Sequence, residues 1–156
     1  MNLDPNKLVE WVYGSDENPI YCINRGEVYY QENKIKNADI NSFVYFNNDY
    51  AKDDKKCYRF GSFLKGANSK TFKVYNYSYV GDDKHIWYLG GEIKEADIAT
   101  FSVCDMGYEI YQLGNEKTCI PGGYAKDKNN VYYYGFEGKY KVLKNVDPDS
   151  FSSITN

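Results

Sequence analysis

Several features that mark enzymes and membrane proteins are missing from this chain of 156 residues. It has a single histidine, His85, which excludes a multi-histidine metal site and gives no support for a catalytic triad. Its glycine pairs, Gly90-Gly91 and Gly122-Gly123, are not followed by Lys-Ser or Lys-Thr, so a phosphate-binding loop is not predicted. No apolar run approaches the length of about 18 residues that a membrane-spanning helix requires. We therefore predict a protein that is not an enzyme, needs no metal or organic cofactor and has no membrane partner.

Basic residues do not form a block. The 19 Lys and Arg residues are scattered among 22 Asp and Glu residues, for a net charge of −3. A surface that follows a nucleic-acid backbone needs a basic stripe, so no nucleic-acid partner is predicted. The acidic balance is compatible with a basic protein partner. The amino-terminal residues lack a charged region followed by an apolar run, so we expect no signal peptide and a cytoplasmic location.

The four cysteines show no C-x-x-C spacing. Cys57 falls in a repeated position that otherwise holds Val or Ile, so we expect a small buried hydrophobe there. Cys104 and Cys119 flank an insertion and could form a disulfide in an oxidising compartment. Without a secretion signal, reduced thiols are the prediction.

Aliphatic side chains are scarce, and aromatic ones compensate for them. Leu, Ile, Val and Phe together supply 34 residues, a share close to the range in which chains fail to order. The chain has 18 Tyr, eight Phe and two Trp residues, and each aromatic side chain can bury roughly 150–250 Å². This composition predicts a thin, elongated fold built on tyrosine. It fits one domain over residues 1–156.

The chain repeats itself with a period of 29 residues, which separates Phe43, Phe72 and Phe101. A period of this length indicates one supersecondary unit used several times. A fourth copy, 131–151, aligns if five extra residues are allowed in its middle. The three ungapped copies are VYYQENKIKNADINSF (28–43), CYRFGSFLKGANSKTF (57–72) and IWYLGGEIKEADIATF (86–101).

Each copy is predicted to be a β-hairpin followed by a turn. The hairpin turns contain Asp, Lys and Asn, which suit turn backbone and bond to their own main chain. Asp53-Asp54 and Asp82-Asp83 lack the spacing and the distal Glu of a calcium loop, so a turn role is favoured over metal binding. His85 lies in the same turn and is expected to be solvated. The tail of each copy ends on the repeated Phe, which we predict to be a core residue.

The amino-terminal residues 2–14 break the repeat. Asp4 suits a helix N-cap, Pro5 the first helical position and Gly14 the position after the last turn. A short helix here would cap the first hairpin. We therefore predict an all-β fold of consecutive antiparallel β-hairpin repeats, a meander or partial solenoid, with a short amino-terminal capping helix. The repeat units are predicted at about 24–43, 50–72, 79–101 and 124–151.

A second break is an insertion at about 104–119, between the third and fourth units. Residues 108–111 and 118–120, around Gly114-Asn115, are predicted to form an extra hairpin. Departures from a repeat are frequent binding features, although the hairpin could instead only extend the sheet. Acidic groups steer a basic partner and Tyr supplies contact area. The candidate partner-binding residues are Asp105, Tyr108, Glu109, Tyr111 and Glu116.

These repeated positions resemble the DKNYY family of bacterial repeat proteins. The signature of that family is a strand, then Asp-Lys-Asn, an aromatic pair and a Lys-x-x-Ala-Asp-x-x-Thr-Phe tail. The segment 127–133, Asp-Lys-Asn-Asn-Val-Tyr-Tyr, is the best match to it, and the segments 83–88 and 54–58 match it more loosely. The resemblance extends over roughly 24–151. It implies a repetitive all-β protein of uncharacterised function and supplies no catalytic residue.

The function predicted from these observations is that of a non-enzymatic protein-binding module. A small acidic chain without a catalytic set looks like an immunity protein that neutralises a cognate bacterial toxin, with a basic toxin domain as its partner. The alternative is an envelope or surface β-repeat protein that binds glycans through exposed aromatics. Runs such as Tyr132-Tyr133-Tyr134 place rings on both faces of a strand, although Tyr could also simply replace aliphatic residues in the core.

Overall fold

The structure is a computed structural model that describes residues 2–3, 20–46 and 49–154. Within these ranges every regular element is a β-strand, so the predicted all-β class is confirmed. No helix in the described ranges is long and apolar enough to cross a membrane. The chain divides into two compact units, residues 1–72 and 73–156.

The first unit contains two sheets. Their strands are β1 (Asn2–Leu3), β2 (Tyr21–Asn24), β3 (Glu27–Tyr30), β4 (Asn33–Lys34), β5 (Val44–Tyr45), β6 (Tyr50–Lys52), β7 (Cys57–Arg59) and β8 (Ser62–Phe63). One sheet is the antiparallel meander β2-β3-β4, and the other has the order β1-β5-β6-β7-β8. All pairs are antiparallel except β1 with β5, which are parallel.

The second unit contains three sheets. Their strands are β9 (Lys73–Val74), β10 (Tyr79–Gly81), β11 (Ile86–Tyr88), β12 (Gly91–Glu92), β13 (Ser102–Val103), β14 (Tyr108–Leu113), β15 (Glu116–Pro121), β16 (Gly123–Lys126), β17 (Val131–Tyr134) and β18 (Lys141–Val142). The orders are β12-β11-β10-β9, β13-β16-β17-β18 and the pair β14-β15. All strand pairs in this unit are antiparallel.

Each copy of the repeat therefore forms one small antiparallel sheet around a central hairpin. The predicted core position of the repeated Phe is confirmed for Phe43, Phe72 and Phe101, which are buried, while Phe151 is half-buried. One repeated position at or next to the start of each second hairpin strand is also buried, and it holds Val28, Cys57, Ile86 and Val131. None of the four cysteines forms a disulfide in the described residues.

The tail of each copy is a pair of consecutive turns. In the third copy the amide of Ala96 donates to the carbonyl of Ile93, and the amide of Thr100 donates to that of Asp97. The carboxylate of Asp97 also accepts the Thr100 hydroxyl at 2.8 Å. The Asp and the Ser or Thr three positions later thus close the turn that presents the repeated Phe to the core.

The amino-terminal helix predicted over 2–14 is not supported. Asn2 and Leu3 form strand β1, whose backbone pairs with Val44 and Tyr45 at the edge of a sheet, so the prediction of helix is wrong at these two positions. Residues 4–14 lie outside the described residues.

Candidate functional site

Buried aspartates close the hairpin turns of the second, third and fourth copies. The Oδ1 atom of Asp53 accepts the amides of Lys55 and Lys56 at 2.8 and 2.7 Å. Its Oδ2 atom accepts the Tyr58 hydroxyl at 2.7 Å and the Asp39 amide at 3.0 Å. Burial on its own would raise the pKa of Asp53, but these four hydrogen bonds hold it below its usual value. The predicted turn role is thus confirmed for Asp53.

The same arrangement recurs in the fourth copy and changes in the third. Asp127 accepts bonds from the amides of Asn129, Asn130 and Asp97 and from the hydroxyl of Tyr132. In the third copy Trp87 occupies the tyrosine position and has no hydroxyl to donate. His85 places its Nδ1 atom 3.0 Å from Asp82 Oδ1 instead. The expectation that His85 is simply solvated is therefore wrong, because its half-buried ring pairs with this carboxylate.

The insertion forms the predicted extra hairpin. Strands β14 and β15 pair from Tyr108 opposite Pro121 to Leu113 opposite Glu116. Gly114 opens the two-residue turn with a φ of 62°, in the left-handed region that glycine adopts without strain. In the described part of the chain these two strands pair only with each other, so the hairpin does not extend a neighbouring sheet.

Hydrogen bonds from one loop fix the base of this hairpin. The side chain of Asn76 donates to the carbonyl of Asp105 at 3.1 Å, and the Ser78 hydroxyl donates to the carbonyl of Gly107 at 2.6 Å. The amide of Tyr77 donates to the carbonyl of Met106 at 3.3 Å. These contacts attach the hairpin to the loop between β9 and β10.

Asp105 joins the start of the hairpin to the strand that follows it. Its Oδ1 atom accepts the amide of Gly107 at 2.9 Å, and its Oδ2 atom accepts the amide of Tyr124 at 2.7 Å. Burial raises the pKa of Asp105, and the two amides offset part of this rise. A Cβ on Gly123 would collide with the Asp105 carboxylate, and the φ of 144° at this position also favours glycine. Asp105 thus orders the base of the hairpin. It also lines a cleft at this base.

A cleft of about 260 Å³ lies at the base of the hairpin. Its walls include four of the five sequence-predicted residues, and the fifth, Glu116, lies at the far end of the hairpin, opposite Leu113. The predicted residues in the cleft are Asp105, Tyr108, Glu109 and Tyr111. The cleft-lining side chains that sequence reasoning did not include are Ile120, Pro121, Tyr124, Tyr133, Phe136, Ser153 and Ile154.

The aromatic rings around the cleft are packed to different extents. Tyr108 makes an edge contact with Tyr77, with ring centroids 5.6 Å apart, and Tyr124 lies 4.8 Å from Tyr133. Tyr111 is exposed, and its hydroxyl donates to Glu109 at 2.8 Å, a bond that raises the pKa of Tyr111. The cleft thus has packed rings at its base and a solvent-facing Tyr–Glu pair on the hairpin.

The family comparison covers the repeats that precede this cleft. A family model matches residues 23–91. This model is that of the DKNYY family, which the resemblance in the repeated positions predicts. No curated protein and no solved structure matches the chain.

The DKNYY segment runs from the first hairpin to the last strand of the third sheet, and ends before the insertion and the fourth copy. The cleft therefore lies outside it. Among the cleft-lining residues that were not predicted from the sequence, Tyr133 lies in the run Tyr132-Tyr133-Tyr134, which the sequence analysis identifies. The outer two side chains of this run are buried and the middle one is exposed, as alternation along a strand requires.

Proposed function

We propose that this chain is a non-enzymatic module that binds another protein through the insertion hairpin. The observation that carries the proposal is the exposure of large apolar side chains on one short element. Ile110 is 51% exposed, Tyr111 54% and Leu113 85%. Tyr111 and Leu113 share one face of β14, and neighbouring apolar side chains that face solvent are typical of interaction surfaces.

The charge of the hairpin favours a basic partner. Alternation along β14 puts Glu109, Tyr111 and Leu113 on the same face, and Glu116 pairs with Leu113 on that face. Two carboxylates thus flank the apolar side chains. Carboxylates at the border of an interface accelerate association with a positively charged surface. This is the chemistry we propose for an immunity protein that covers a basic toxin domain.

The test is affinity capture from the native host, followed by reconstitution with the purified partner. Tyr111→Ser with Leu113→Ser should weaken the reconstituted complex at least about tenfold, since central apolar anchors supply most of the affinity at an interface. Phe63→Ser is the matched control, because Phe63 is an exposed apolar residue on β8, outside the hairpin. Equal affinity of the hairpin variant and the control would refute the proposal. An immunity role further requires that the partner is toxic when expressed alone and harmless when this chain is co-expressed.

A second candidate function is glycan binding. It is favoured by the aromatic rings that line the cleft at the base of the hairpin. Tyrosine faces stack on sugar rings, and carboxylates accept bonds from sugar hydroxyls. Calorimetric titration with soluble oligosaccharides tests this function directly. Saturable binding that Tyr133→Ser abolishes would support it over the protein-binding function.

A further inference from the structure

The cleft at the base of the hairpin is acidic. The described residues that line it include two carboxylates, Asp105 and Glu109, and no Lys, Arg or His. An anionic ligand such as a phosphate would therefore meet negative charge and no cationic side chain among these residues. A cation is the ligand that this electrostatic environment favours.

The walls of the cleft are suited to a flat cation. Tyr124 and Tyr133 lie side by side, and Tyr111 and Phe136 add two further exposed rings to the lining. A cation placed over an aromatic face gains electrostatic attraction from the ring. The carboxylate of Glu109 is solvent-exposed and accepts one bond, from Tyr111, which leaves further lone pairs for a ligand.

The size of the cleft limits the ligand to one side chain. Its volume of about 260 Å³ is below the roughly 300–1,000 Å³ that is typical of sites for drug-sized molecules. A single long side chain from a docked protein fits this volume better than an oligosaccharide does. The cleft also adjoins the exposed face of the hairpin, because Glu109 and Tyr111 belong to both.

We infer that this cleft receives an arginine side chain of the partner protein, an inference that rests on the proposed function. Arginine fits better than lysine for two reasons. Its planar guanidinium stacks on aromatic rings and donates paired hydrogen bonds to a carboxylate. The guanidinium is also more weakly hydrated than an ammonium group, so it loses less hydration free energy when it leaves water.

The test uses the purified full chain and N-acetyl-arginine amide as the probe. Backbone amide shifts of Gly122, Gly123 and Ile154, which line the cleft, should change saturably in an NMR titration. N-acetyl-citrulline amide is the matched neutral control, because it keeps the shape of arginine and lacks its charge. It should cause no saturable change. Glu109→Gln should weaken arginine binding at least about tenfold, the loss of one charge-assisted pair.

A carboxylate outside the cleft provides the control variant. Glu92 is exposed on β12 and does not line the cleft, so Glu92→Gln should leave arginine binding unchanged. Equal responses to the arginine and citrulline probes, or the absence of a saturable response, would overturn the inference. Competition by cellobiose for the same amides, without an arginine response, would likewise overturn it in favour of glycan binding.

The two proposals can fail separately. If Glu109→Gln leaves the affinity for the purified partner unchanged while Tyr111→Ser with Leu113→Ser destroys it, the arginine cleft is wrong and the protein-binding function stands. If the arginine probe binds the cleft but the hairpin variant keeps full partner affinity, the proposed hairpin interface is wrong instead.

Discussion

The imidazole of His85 stacks on the indole of Trp87, with ring centroids 4.9 Å apart and 29° between the planes. The stack holds His85 Nδ1 against the buried carboxylate of Asp82. In two other copies a tyrosine hydroxyl fills this place, from Tyr58 to Asp53 and from Tyr132 to Asp127. The third copy therefore keeps the hydrogen bond to its aspartate but takes the donor from a different residue.

This exchange of donors predicts coupling between positions 85 and 87. His85→Ala should lower the free energy of unfolding by about 1–2 kcal/mol, because a buried carboxylate loses one hydrogen bond. In a Trp87→Tyr background the same change should cost less, since the introduced hydroxyl can donate to Asp82 in its place. Urea denaturation of the four proteins of this double-mutant cycle measures the coupling. Strict additivity of the two substitutions would show that the donors are not interchangeable.

Asp53 should stabilise the fold at neutral pH and lose this contribution in acid. Its hydrogen bonds hold its pKa in the folded protein below that of the unfolded chain. The stabilisation is therefore complete above the unfolded pKa, near 4, and is lost as pH falls through the lower folded pKa. Asp53→Asn should reduce the free energy of unfolding at pH 7 by about 1–3 kcal/mol, because a charged acceptor of four bonds is replaced. It should also flatten the pH dependence below about pH 4.

The neighbouring residue supplies the control for this prediction. Asp54 is exposed, whereas Asp53 is buried. Asp54→Asn should change the free energy of unfolding at pH 7 by no more than about 0.5 kcal/mol, as exposed substitutions usually do. An Asp53→Asn protein that behaves like this control would contradict the stabilising role of the carboxylate.

Asp49 should show the opposite pH dependence. Burial raises the pKa of Asp49 to about 7, well above the unfolded value. Between about pH 4 and pH 7 the unfolded chain ionises while the folded protein keeps the proton, so the stability of the fold falls as pH rises. Asp49→Asn should remove this loss and raise the free energy of unfolding at pH 8, by at most about 4 kcal/mol. Equal stability of variant and wild type at pH 8, or a loss in the variant, would show that the carboxylate is not destabilising.

These aspartates also show where sequence reasoning reaches its limit. Spacing alone predicts the 29-residue period, the hairpins and the buried Phe, because sequence separation fixes the alternation of buried and exposed positions. It does not distinguish Asp53 from Asp54. The family signature places its aspartate at Asp54 and Asp83, while the carboxylates that close the turns belong to Asp53 and Asp82. The difference depends on which side chain faces inward, and this follows from the strand register.

The candidate site, like the fold, was predictable from the sequence only in part. A break in the repeat identified the insertion hairpin and the four predicted residues that line the cleft. Tyr124, Phe136 and Ile154 were missed because they come from separate segments after the insertion, and no local pattern relates them to it. Their proximity is a property of the tertiary fold.

The repeated Phe provides the last prediction, in which burial decides the size of the effect. Phe72 is buried, and its ring centroid lies 5.6 Å from that of Phe46 and 6.5 Å from that of Tyr50. Phe72→Ala should lower the free energy of unfolding by about 3–5 kcal/mol, the usual effect of emptying a buried aromatic site. Phe151 holds the same repeat position but is half-buried, so Phe151→Ala should cost less than half as much. Urea denaturation of both variants gives the two values. A loss below about 1 kcal/mol in Phe72→Ala, within the range of a surface substitution, would mean that this residue is not part of the core.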